Sequence, residues 1–129
     1  MIDLIVPCEV AVKSTVPAVK ALLAKELVEK HKLRQDETAE ILGISQSAVS
    51  KYTRNLRGSV IEINDFKEVS DLVDKMIMIL MSEKRAYQKT EFMNFFCETC
   101  RVVRKARLMC KFCLKTDPTF DAEKCDFCL

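Results

Sequence analysis

Apolar residues recur at helical spacing through most of this chain. Between Pro17 and Lys30, Val19, Leu22, Leu23, Leu27 and Val28 alternate with lysines and glutamates, which predicts an amphipathic helix. Pro7 and Pro17 each stand where a helix can begin, and Ser14 or Thr15 can cap the second one. The helical pattern returns from Asp65 to about Phe96, where Phe66, Val69, Val73, Met76 and Leu80 follow an a/d spacing. Leu72, Ile77 and Ile79 widen that surface beyond one stripe, and such a helix needs partners on more than one side. One expected partner is the segment 1–58. The other is a second copy of the chain, with Phe66, Val69, Val73, Met76 and Leu80 as the homodimer interface. Residues 60–63 (VIEI) predict a short strand or an extended linker.

Residues 35–54, QDETAEILGISQSAVSKYTR, carry a denser signal. Ala39 suits a close crossing of two helices, and Gly43 can take the positive φ that ends the first in a tight turn. Leu42, Ile44, Val49 and Tyr52 supply apolar positions to lock the pair, and Ser45 can cap the second helix. This is the spacing of a helix-turn-helix. The outward face of its second helix then comprises Gln46, Ser47, Ala48, Ser50, Lys51 and Arg54, with short polar side chains suited to base edges in a major groove. Residues 45–58 hold Lys51, Arg54 and Arg57 and no acid, a local charge suited to phosphate.

Composition agrees with helices. Two glycines and three prolines in 129 residues argue against a turn-rich β fold, and the length suits one domain or two small ones. The net charge of +2 says little about partners. Segment 59–96 carries five Lys/Arg against seven Asp/Glu, which removes it from consideration as a nucleic-acid face. Leu4-Ile5-Val6 lacks a basic region before it, and the apolar run Met76–Met81 is too short to span a bilayer. The expectation is a cytoplasmic protein with reduced thiols and no membrane partner. One histidine, no nucleophile–base constellation and no phosphate-cradling glycine loop point away from an enzyme and from a small-molecule substrate.

The last third carries three Cys-x-x-Cys pairs, Cys97/Cys100, Cys110/Cys113 and Cys125/Cys128. Each sets two sulfurs one turn apart, a spacing at which both can reach one metal ion or cluster. Three pairs exceed the needs of one four-cysteine zinc site. A [4Fe–4S] cluster takes four thiolates as well, leaving two spare, so the count does not separate the metals; the cluster is the expected cofactor, with Zn²⁺ as the alternative and a metal-free thiol switch as the third possibility. Residues 97–115 hold six Lys/Arg and one Glu, and such cations offset thiolate charge or bind phosphate. Cys8 stands apart from the pairs and is expected as a small buried side chain. His31 falls at a helix C-terminus, where it can favour the dipole.

The helix-turn-helix segment resembles the DNA-binding domain of Cro/C1-type, phage-repressor-like regulators. In several of these a Gln opening the first helix contacts phosphate and braces a Gln at the start of the recognition helix. Gln35 and Gln46 occupy the matching positions, which implies that Gln46 reads adenine. The flanking stretches PCEVAVKSTVPAVKALLAKELVEK and AVSKYTRNLRG are similar to a group of archaeal predicted regulators, some with a Cys-rich end. Where some relatives are expected to have His, this chain has Cys113.

The chain thus reads as mainly α, in three parts: a helix-turn-helix domain over 1–58, a long connecting and dimerisation helix within 59–96, and a small Cys-rich metal-binding module over 97–129. Its expected function is that of a homodimeric, sequence-specific regulator binding a double-stranded DNA operator. The expected DNA-binding residues are Gln35, Ser45, Gln46, Ser47, Ala48, Ser50, Lys51, Arg54 and Arg57. The competing classes are a small redox protein and a zinc-ribbon RNA-binding or scaffold protein.

Overall fold

A computed structural model describes residues 6–54, 63, 66–83, 85–116, 119, 121 and 123–125. Among these residues the secondary structure is entirely helical. Helix α1 spans Pro7–Lys13, α2 Thr15–Lys25, α3 Gln35–Leu42, α4 Gln46–Thr53, α5 Lys67–Leu80, α6 Lys89–Lys105 and α7 Cys110–Thr116. A π turn, Glu26–Lys30, prolongs α2, and a 3₁₀ turn, Arg85–Gln88, precedes α6. None of the described helices is long and apolar enough to cross a membrane.

Helix α2 is the hub. It starts at Thr15 rather than Pro17, so Pro17 sits in the first turn, where its missing N–H costs no helical bond. The Ser14 hydroxyl does not cap α2. It donates at 2.8 Å to the Val10 carbonyl in the last turn of α1. Ala18, Val19 and Leu23 of α2, and Leu27 beyond it, join the main core, while Ala21 and Ala24 meet Ala48 and Tyr52 of α4. Burial on two sides explains why this helix is rich in alanine: small side chains let neighbours approach closely.

The single long helix expected over 65–96 is two helices. The apolar pattern of α5 stops at Met81, and the polar run that follows lets the chain turn back. Lys75 then lies over the Phe95 ring at 5.5 Å, and Ser82 lies near Gln88, as an antiparallel hairpin requires. The 96/97 boundary falls inside α6, which runs unbroken through Cys97 and Cys100 and places Val103 in the main core. A turn at 106–109, with Arg107 at φ 60°, then sends α7 back across α1. The Cys-rich end is therefore docked on the first two helices, with the Thr15 hydroxyl donating at 3.4 Å to the Met109 sulfur.

The dimer assignment is corrected by this packing. Val69 (1% exposed), Val73, Met76 (0%) and Leu80 are buried within one chain against α2 and α6, and only Phe66 stays on the surface. Their a/d spacing is the seam of an internal core. Ile63 is buried in that core, and the rest of the 60–63 stretch lies outside the described residues.

Candidate functional site

Gly43 takes φ 67° and ψ 33° after α3, and the Ile44 N–H reaches back to the Ala39 carbonyl at 3.1 Å. A left-handed residue at this point reverses the chain within one turn, and glycine takes that conformation without a side-chain penalty. Ser45 follows in extended conformation, and its hydroxyl accepts from the Ala48 N–H at 3.0 Å. That bond caps α4. Ala39, Val49 and Tyr52 are buried between the helices, with Leu42 and Ile44 half-buried beside them.

The packing sorts the residues expected at DNA. Gln46 and Ser47 are exposed at the N-terminal end of α4, and Arg54 is exposed at its other end. Ser50 and Lys51 are half-buried. Gln35 and Gln46 each open their helix, α3 and α4 respectively, and Gln35 is half-buried. Ser45 is exposed but its hydroxyl is engaged in the cap. Ala48 does not belong to the outward face. It is 8% exposed and packs on Ala21 and Ala24, because residues 48 and 52 are one turn apart on the side facing α2. Arg57 lies outside the described residues.

One further cation beside the motif went unnoticed in the sequence. Arg34, just before α3, donates to Glu37 at 2.7 Å and lies 3.6 Å from Asp36. The hydrogen bond to Glu37 and the two carboxylate charges raise its pKa. A charged residue three positions before an acid at a helix start was the available signal.

Residues 25–60 match the Cro/C1-type Helix-turn-helix family. The chain therefore carries a DNA-binding helix-turn-helix. No curated protein and no solved structure matches the chain.

The cysteines fall into different settings. Cys97 is exposed on α6, and Cys100, Cys110, Cys113 and Cys125 are half-buried. Cys128 lies outside the described residues. Cys100 and Cys113 pack together with Phe112 against Val10, Ala11 and Met109. Burial pushes the Cys100 thiol above its ordinary value, Arg104 opposes this by charge and hydrogen bond, and nearby Cys8 and Cys97 add to the rise. The Cys125 carbonyl accepts from the Arg107 guanidinium at 3.2 Å. Among the described residues no three His, Cys, Asp or Glu side chains form a group able to hold a metal ion as they stand. Cys100 and Cys113 share one apolar wall, and the Arg104 guanidinium lies beside Cys100. Cys8 is exposed, contrary to its expected burial, since α1 turns Val10 and Ala11 inward.

Proposed function

We propose that this protein is a sequence-specific transcriptional regulator that reads an operator through the first turn of α4. The observation that carries this reading is the pairing of exposed Gln46 and Ser47 with a cap and turn that hold their helix firmly. A glutamine amide can both donate to and accept from an adenine edge, and Lys51, Arg54 and Arg57 supply charge for phosphate. Gln35, at the start of α3, braces that contact. Gln46→Ala should weaken binding to the specific site by about 1–3 kcal/mol and leave binding to random duplex nearly unchanged. Lys51→Ala and Arg54→Ala should weaken both and flatten the salt dependence. Equal losses on specific and random DNA for Gln46→Ala would overturn the assignment.

The thiols of the Cys-rich end hold a metal centre in this reading, a [4Fe–4S] cluster or, alternatively, zinc. Such a centre supplies folding free energy to the segment that holds it and a redox- or metal-dependent state. An absorption spectrum of anaerobically purified protein separates the two, since zinc's filled d shell gives no visible band. The regulator works as a cytoplasmic homodimer. The surface that supports pairing is the outer face of the α5–α6 hairpin, where Met78 is 73% exposed and Met81 and Met93 also face outward. Lys75 and Glu91 line one groove with Met78, so a two-fold partner can set unlike charges against each other.

A further inference from the structure

Helices α6 and α7 repeat one arrangement, in which two cations four residues apart bracket an inward residue. In α6, Arg101 and Lys105 flank Val103, which is 0% exposed in the main core. In α7, Lys111 and Lys115 flank Cys113, which packs on Val10, Ala11 and Met109. Residues two apart lie on opposite sides of a helix, so each pair is carried away from the packed side. All four cations are exposed. The chain holds no acid from residue 99 to residue 116. Among the described residues none of the four forms a salt bridge, and Lys111 lies over the ring of its neighbour Phe112 at 5.3 Å.

Cys100 of α6 and Phe112 and Cys113 of α7 pack on the same small cluster, so both pairs leave the fold at one end of the molecule. Like charges one helical turn apart repel, and the described residues set no acid against them. The helix dipole does not explain them all. It favours a cation in a last turn, but Lys111 stands in the first turn of α7, where a cation is disfavoured. Charge on the half-buried thiols does not explain them either. Arg104 is the cation beside Cys100, while Lys111 and Lys115 lie across their helix from Cys113. The repulsion is relieved by a polyanion that meets both pairs.

We propose that Arg101, Lys105, Lys111 and Lys115 form a second, sequence-independent contact for duplex DNA, binding backbone phosphates outside the stretch that α4 reads. It needs only the DNA-binding helix-turn-helix that the chain carries, and it holds whether or not the thiols bind metal. Lysine and arginine contacts to phosphate supply affinity and register without reading bases. Helix α7 packs on α1, α1 on α2, and α2 on α4. Three such contacts, at about 8–10 Å each between axes, span on the order of one duplex turn. A duplex held by α4 therefore has phosphates within range of the patch.

The test uses the full chain and a random-sequence duplex roughly three helical turns long, titrated across a range of salt. The patch variants are Arg101→Gln with Lys105→Gln, and Lys111→Gln with Lys115→Gln. Lys67→Gln with Lys89→Gln removes two exposed cations elsewhere and serves as the control. Each patch variant should lower the slope of log K against log salt by about 1.8, two contacts at about 0.9 each, and the control should keep the wild-type slope. The duplex should also protect Lys105, Lys111 and Lys115 of the wild type from acetylation and leave Lys67 and Lys89 reactive, a readout that holds even where a variant folds poorly. Unchanged slopes in both patch variants, an equal fall in the control, or unprotected patch lysines overturn this inference while leaving the base readout by Gln46 untouched. Loss of binding to phosphatidylglycerol vesicles with the DNA slope intact would assign the patch to a membrane surface and overturn it as well. A wild type with no affinity for the random duplex overturns it outright.

Discussion

Two residues flanking α3 adopt the left-handed backbone, Lys32 at φ 57° and Gly43 at φ 67°. Only one of them is the residue type that adopts it freely. A side chain in this region costs about 1 kcal/mol or somewhat more, because Cβ crowds the following carbonyl. A Cβ added at Gly43 would meet no atom within 4 Å, so backbone strain is the whole cost there. Gly43→Ala should therefore lower stability by roughly 1 kcal/mol, and Lys32→Gly should raise it by a similar amount. Urea unfolding at constant m checks both. Opposite signs for the two changes are the expected outcome.

At the scale of elements, the contact between α2 and α4 decides how Gln46 is presented. That contact is built from Ala21, Ala24, Ala48 and Tyr52, so the helices sit closer than larger side chains would allow. Ala48→Leu should overpack it at a cost of about 1–3 kcal/mol and tilt α4. Operator affinity should then fall although residue 48 touches no base. A crystal structure or DNA titration showing Ala48→Leu folded and fully active would mean that α4 is held elsewhere. The hairpin makes a different prediction. Met78→Glu with Met93→Glu should yield monomers by sedimentation and reduce operator affinity, with the core intact because both side chains lie outside it. Val73→Glu would instead unfold the chain, since Val73 is buried among α2 and α5 residues.

The whole molecule joins a reading helix to a thiol-rich end through α1 and α2. In the proposed metal-bound form, removal of the metal should act in two ways. Residues 89–105 should stay helical, since Val103 and the three phenylalanines of α6 pack on the main core whether or not metal is bound. Residues from 106 onward should lose protection, because α7 has no fully buried residue of its own. Hydrogen exchange of loaded and metal-free protein maps that boundary. Operator affinity should change by about 1–3 kcal/mol if the coupling is of ordinary allosteric size. Equal affinities at matched salt would make the centre a structural staple.

The local devices of the helix-turn-helix were written in the sequence. Gly43 and Ser45 fix the turn and cap, Ala39 and Val49 the helix crossing, and the 3.6-residue apolar rhythm the helices themselves. Each depends on residues a few positions apart, where backbone sterics and hydrogen bonding leave few choices. What faces what was not written there. The seam of Val69, Val73, Met76 and Leu80 has the same spacing whether it meets another copy or α2 and α6, because periodicity records that a face is buried and not by what. Ala48 is as small and neutral in a groove-facing position as in a helix contact, and only α2 behind it settles which. The half-buried thiols gained their neighbours in the same way. Chain spacing grouped six cysteines into pairs, but only the return of α7 over α1 sets Cys100 and Cys113 against Val10 and Ala11, since the proximity of distant residues is a property of packing alone.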